Sequence, residues 1–248
     1  IYEKKTIDYT LGAAKRSKVV DRIYLSTHHP ASESLEMHNE MSYTAYWPKY
    51  IVFYCNKPAI EGGETPIADS RKVWNLMKPQ TKQKFQELGV MYVRQLGGAF
   101  GGLSWSEVFE TTDRHKVEDS CKKQNIDFEW IEGDLLKMKW ILPAFQTHHT
   151  TNEFIWFNHA FFFNSLLLNK SFAETLKEID VPFFALYGDG SEIEPEILEE
   201  IDSLYKATKV SFKWQKGDVL LLDNLLMAHG RNSYKGEREI LVAMFKDI

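Results

Sequence analysis

The stretch GDVLLLDNLLMAHGRNSYKGEREILVAMF, Gly217 to Phe245, decides how the rest of the chain is read. A Gly-Asp turn launches an apolar run, Val219 to Leu222, and a second run, Ile240 to Phe245, returns after a polar turn at Lys235-Gly236. The pattern predicts two buried β-strands. His229 and Arg238 lie at the inner ends of those runs. An unpaired polar group in an apolar interior costs on the order of a few kcal/mol, and an unpaired charge more, so both side chains need something to hold.

Upstream, Glu194 to Lys206 carries Ile197, Leu198, Ile201, Leu204 and Tyr205 at helical spacing with acids on the other face, which predicts an amphipathic helix. Tyr50 to Cys55, Val90 to Arg94, Asp127 to Ile131, Leu135 to Leu142 and Glu153 to Phe157 read as strands, with shorter ones at Val19 to Leu25 and Thr65 to Ala68. Helices are announced by their ends: Asp69 or Ser70 before a run to Met77, Thr81 to Leu88 closing at Gly89, a Ser104–Glu107 capping box, and Thr112 or Asp113 before a run to Lys123. Gly97 to Gly102 lacks the Lys and Ser/Thr of a phosphate loop and the spacing of a dinucleotide fingerprint, so it reads as a surface loop or active-site flap. Phe161 to Leu168 reads as a core-facing segment. Many short strands with helices inserted among them and no internal repeat predict one mainly β domain over residues 1–248.

Composition narrows the function. With 44% hydrophobic and 14% aromatic residues there is ample material for one core. The net charge is -5 and no stretch concentrates Lys and Arg, which argues against nucleic acid as a partner. Apolar runs fall short of a membrane span. Two cysteines far apart in the chain make neither a disulfide framework nor a Cys-rich zinc site. A soluble, reducing compartment is expected, the cytoplasm first, with an organelle as the alternative if a targeting segment precedes Ile1.

The chemistry centres on His38 and Glu40. On a strand, residues two apart face the same way roughly 7 Å from each other, so the pair can converge on one point. His229 is the best candidate for a third ligand. Two imidazoles and one carboxylate on one face of a metal, with the opposite face open, is the arrangement of non-haem Fe(II) oxygenases. With 35 acids in 248 residues, roughly one His in seven has an acid two places on by accident, so the pair gains weight only from its companions Thr65, His229 and Arg238.

Together, His38-Asn39-Glu40-Met41-Ser42-Tyr43, Phe53-Tyr54-Cys55, Gly62-Gly63-Glu64-Thr65-Pro66, Phe157-Asn158, and Asp223-Asn224 through His229-Gly230-Arg231 to Gly236-Glu237-Arg238 make the chain resemble the taurine dioxygenase (TauD/TfdA) superfamily, in its clavaminate-synthase-like, SyrP-like branch. The resemblance implies a distorted double-stranded β-helix, or jelly roll, with helical insertions. It implies Fe(II) bound by His38, Glu40 and His229, and 2-oxoglutarate held at its distal carboxylate by Thr65 and Arg238. With O2 as the other co-substrate, such an enzyme hydroxylates a small amino-acid-like or carboxylate-bearing substrate, free or on a carrier protein, and releases succinate and CO2. Relatives that halogenate lack the carboxylate, so Glu40 argues against halogenation. Arg231 and Asn158 are candidate substrate-pocket residues; an ion pair with a nearby acid and satisfaction of backbone groups are their respective alternatives. His148-His149, His28-His29 and His115 read as structural or exposed. Relatives carry more chain before the matched region, so an N-terminal portion is expected to be missing. Two other functions compete: a ligand-binding jelly roll without turnover, and a zinc-dependent hydrolase built on the same triad.

Overall fold

The computed structural model describes residues 17–20, 22–26, 29–97, 103–132, 134–165 and 182–246. Its strands are β1 (Lys18–Val20), β2 (Ile23–Leu25), β3 (Leu35–His38), β4 (Tyr50–Lys57), β5 (Glu61–Gly62), β6 (Ile67–Asp69), β7 (Val90–Leu96), β8 (Asp127–Ile131), β9 (Leu135–Leu142), β10 (Phe145–Thr147), β11 (Phe154–Trp156), β12 (Phe183–Tyr187), β13 (Val219–Asp223), β14 (Met227–Arg231), β15 (Tyr234–Lys235) and β16 (Glu239–Phe245). The helices are α1 (Ser70–Leu76), α2 (Pro79–Leu88), α3 (Trp105–Phe109), α4 (Arg114–Lys123), α5 (Ala160–Asn164) and α6 (Pro195–Thr208).

Strand alternation builds the main sheet, in the order β1-β2-β16-β4-β13. Ile240, Val242 and Met244 of β16 stand opposite Cys55, Phe53 and Ile51 of β4, and all six side chains are buried. Met41, Leu222 and Trp214 join that cluster, and Ile67 and Met227 close it from a second, three-stranded sheet, β3-β14-β6. Two antiparallel sheets with their apolar faces together make the jelly roll. A larger cluster packs a four-stranded sheet, β12-β7-β9-β8, against the helices, with Trp74, Phe85, Val117, Phe161 and Ile201 pointing inward.

The deciding stretch folds differently from its reading. It contains four strands rather than two, because MAHGR forms β14 and Tyr234-Lys235 forms β15. The two apolar runs do not pair with each other: β13 and β16 lie on opposite sides of β4. Since β13 is an edge strand with one face in solvent, Val219 and Leu221 are exposed rather than buried. His229 therefore sits in the opposing sheet, while Arg238 stands just before β16. The edge strand expected over Val19 to Leu25 is split into β1 and β2 around Arg22, whose φ is 54°.

Helix ends follow their signals. Asp69 accepts from the Arg71 backbone N–H, Ser104 and Glu107 exchange both bonds of a capping box, Asp113 accepts from His115 N–H, and α2 ends at Gly89. The glycine-rich run beyond Gly97, the last residues of Phe161 to Leu168, and His28 lie outside the described residues. Among the described residues, no helix is long and apolar enough to cross a membrane.

Candidate metal centre

Strand pairing brings the two histidines together. β3 and β14 run antiparallel with His38 directly opposite His229, and their ring centroids are 4.6 Å apart. Glu40 reaches the same point by another route than the one expected. The strand ends at His38, and Glu40 is carried by the turn that follows, where Met41 adopts a left-handed φ of 55°. Asn224 holds that turn in place. Its Oδ1 accepts from Glu40 N–H at 2.7 Å, and its Nδ2 donates to the Glu40 and Pro48 carbonyls at 2.9 and 2.8 Å. Asn39 adds a bond to the Asn224 carbonyl at 2.7 Å.

The ligand atoms of His38, Glu40 and His229 all lie within 4.8 Å of one another, and each residue is no more than 6% exposed. Glu40 Oε2 is 3.9 Å from His229 Nε2. His38 Nδ1 is 2.8 Å from the Glu36 carbonyl. A carbonyl oxygen only accepts, so Nδ1 carries the proton and Nε2 presents a lone pair, the tautomer of a metal-ligating imidazole with its outer nitrogen fixed. A first-row ion about 2.1 Å from three donors on one face would hold them roughly 3 Å apart, so binding would draw Glu40 Oε2 and His229 Nε2 in from 3.9 Å. Two neutral nitrogens and a carboxylate fit a divalent ion such as Fe(II) or Zn(II), with coordination positions left over.

Two further residues, given no role by the sequence, contact predicted site residues. His159 is buried with its ring centroid 5.4 Å from that of His38, and its Nδ1 is 2.7 Å from Ser42 Oγ. Burial holds its pKa well below the ordinary imidazole value. Trp214 donates its indole N–H to Thr65 Oγ1 at 3.1 Å. Neither belongs to a ligand-like pair in the sequence: His159 follows an aromatic strand, and Trp214 reads as one more apolar residue before the Gly217 turn.

Arg238 and Thr65 meet at a second polar spot. Arg238 donates from Nε to the Gly63 carbonyl at 2.8 Å, and its two terminal nitrogens lie 3.4 Å from Ser26 Oγ and Thr65 Oγ1. Burial pushes its pKa down to about 10, with the charge of Arg231 adding to the effect. A guanidinium so placed has the geometry and charge to pair with a carboxylate through charge-assisted hydrogen bonds. The approach is close: at Gly63, with φ 73°, a Cβ would stand 3.0 Å from Arg238 Cδ.

Arg231 and Asn158 turn their polar groups to backbone. The Arg231 guanidinium donates to the His29 and Pro30 carbonyls at 2.8 and 2.6 Å and to that of Glu33, tying this segment to β14. Asn158 donates to the Ala144 carbonyl at 2.7 Å and accepts from Ala160 N–H at 2.8 Å. His148 is buried, 3.7 Å from the Asp223 carboxylate, whereas His149 is exposed. Beside the Glu40 turn opens a cleft of about 430 Å³, lined by Met41, Thr44, Tyr46, Val108, Phe109 and Lys123 among others.

Known proteins resemble this chain in sequence and in fold. The family model for the taurine catabolism dioxygenase TauD, TfdA family matches residues 7–244. The dapdiamide synthesis protein DdaC of Enterobacter agglomerans is 34% identical over 252 residues, covering 100% of this chain and 76% of that protein. A clavaminate synthase-like protein of Arabidopsis thaliana is 30% identical, covering 97% of this chain and 73% of its own. Among solved structures, asparagine oxygenase in complex with Fe(II), hydroxyasparagine and succinate superposes with a TM-score of 0.54 at 13% identity, over 91% of this chain and 57% of that one. PvcB of Pseudomonas aeruginosa gives 0.50 at 14% identity, over 98% of this chain and 66% of its own; at such identities the likeness speaks to fold. Jelly roll, matched family model and relatives at or above 30% identity together mean that the chain belongs to the TauD/TfdA family of dioxygenases.

Proposed function

We propose that this chain is an Fe(II)- and 2-oxoglutarate-dependent dioxygenase that hydroxylates a small amino-acid-like or carboxylate-bearing molecule. The observation that carries the reading is the meeting of three buried donors, His38, Glu40 and His229, within 4.8 Å. These side chains would hold Fe(II), and Thr65 with Arg238 would take the distal carboxylate of 2-oxoglutarate. When bound, the ion and its co-substrates supply the oxidation: 2-oxoglutarate loses CO2 and keeps one oxygen atom of O2 as succinate, and the other enters a substrate C–H bond.

The chain's own residues have four tasks. Glu36 fixes the His38 tautomer, and Asn224 fixes the Glu40 turn. Phe53 and Phe162 press against the histidines, with centroids 5.2 Å from His229 and 4.6 Å from His38, and keep water from their flanks. The cleft beside the Glu40 turn has the size of a small-molecule site, roughly 300–1,000 Å³, and its Lys123 offers a cation to a substrate carboxylate. The names of DdaC and asparagine oxygenase support an amino-acid-like substrate, either free or presented on a carrier protein.

This reading treats the chain as one catalytic domain. Two buried free cysteines, Cys55 and Cys121, suit a reducing compartment such as the cytoplasm. Anaerobic addition of Fe(II) and then 2-oxoglutarate is expected to produce a visible charge-transfer band. Folded protein that binds iron and shows no band would overturn the reading, and hydrolysis indifferent to O2 would favour the zinc alternative.

A further inference from the structure

Thr65 is the smaller partner in the anion pocket, and a hydroxyl is ambiguous: it can donate or accept. If its single proton is spent on a backbone carbonyl, nothing remains for a carboxylate, which only accepts. Two neighbours remove that ambiguity. The indole N–H of Trp214, from the segment before β13, points at Oγ1 from 3.1 Å. The guanidinium of Arg238 lies 3.4 Å from the same oxygen. An indole N–H has no acceptor capacity, and neither has a guanidinium. Both lone pairs of Oγ1 therefore face donors, and the hydroxyl proton must leave in the remaining direction. Thr65 is 3% exposed and Trp214 7%, so water does not compete for these positions.

Resting on the assignment of Thr65 and Arg238 to the distal carboxylate of 2-oxoglutarate, we infer that Trp214 is a specificity-setting positioning residue, which makes the Thr65 hydroxyl an obligate donor and so selects a 2-oxo acid with a second carboxylate. Trp214 does not touch the keto acid in this scheme. It acts through one hydrogen bond from outside the pocket, and its ring is held against Phe212 at a centroid distance of 4.9 Å. An aromatic ring without the N–H keeps that packing while freeing the hydroxyl to turn.

The test compares two keto acids of equal length, 2-oxoglutarate and 2-oxovalerate, the second ending in a methyl group. Each is titrated calorimetrically into the Mn(II)-loaded chain for wild type, Trp214→Phe, Thr65→Val and the double variant. Wild type is expected to prefer 2-oxoglutarate by well over tenfold. Trp214→Phe is expected to weaken 2-oxoglutarate about tenfold, the size of one hydrogen bond to a charged group, and to leave 2-oxovalerate unchanged. The double variant should be no worse than Thr65→Val alone, because both changes silence the same donor. Equal weakening of both keto acids, an unchanged 2-oxoglutarate affinity, or additive losses would each overturn the inference while leaving the pocket assignment standing. A wild type that does not distinguish the two acids overturns the pocket assignment and the inference with it. If Trp214→Phe does not fold, the benzothiophene analogue of tryptophan at position 214 keeps the ring shape, lacks the N–H, and faces the same outcomes.

Discussion

Arg238 is a half-buried cation that donates to a backbone carbonyl and two hydroxyls and faces the Tyr234 ring. None of them bears charge, so its remaining electrostatic demand falls on whatever anion enters beside Thr65. Arg238→Ala is expected to weaken 2-oxoglutarate binding on the order of a hundredfold, the scale of a lost charge-assisted pair, while Fe(II) affinity changes by no more than a few fold. Parallel loss of both, measured by anaerobic titration of metal and keto acid in turn, would give the residue a structural role. At this scale the sequence tells which side chains carry chemistry but not which hold them. His38, Glu40 and His229 stand out because their types are costly to bury without a ligand. Asn224 enters the sequence reading only as part of a motif and Trp214 only as an apolar residue, because their roles lie in contacts across 184 and 149 residues of chain.

Elements whose logic is local were legible, and those made by pairing were not. Asp69, Ser104 with Glu107, Asp113 and Gly89 mark helix ends in the sequence, and the helices end there. β14 was hidden because MAHGR has no apolar alternation; it is a strand because β3 and β6 bond it from both sides. The turn carrying Glu40 was hidden for a related reason, since Met41 at φ 55° is a conformation that no residue type at that position announces. The capping box gives a direct test of a local element. Helix α3 contributes Val108 and Phe109 to the cleft wall. Ser104→Ala removes the acceptor for Glu107 N–H at 3.2 Å and should cost about 1 kcal/mol in urea unfolding, with metal affinity unchanged.

Across the described residues, the two larger clusters divide the work: one joins the facing sheets around the candidate metal centre, the other anchors helices to the four-stranded sheet. Arg71 ties the β6–α1 junction to the chain before β11, with contacts of 2.8 Å to Asp69 and 3.0 Å to Glu153. Burial works to raise the Asp69 pKa, but the hydrogen bonds from Arg71 outweigh it and hold the carboxyl below its ordinary value. Hydrogen bonds from Thr151 and Arg71 lower Glu153 in the same way. A carboxyl with a depressed folded pKa stabilises the protein above its unfolded pKa, and that contribution is lost as pH falls through the folded value. Acid unfolding should therefore draw on this pair below about pH 4. Arg71→Met is expected to lower Tm at neutral pH and to flatten its fall between about pH 4 and pH 2; an identical slope in both proteins would show that the pair does not report on folding.

The amide of residue 224 clasps the turn that follows β3 to the turn that follows β13. The cradle is thus completed by contacts between segments far apart in sequence, whose closure costs chain entropy. A metal bound at this site would thus find the arm that carries Glu40 already set in place by the protein's own hydrogen bonds.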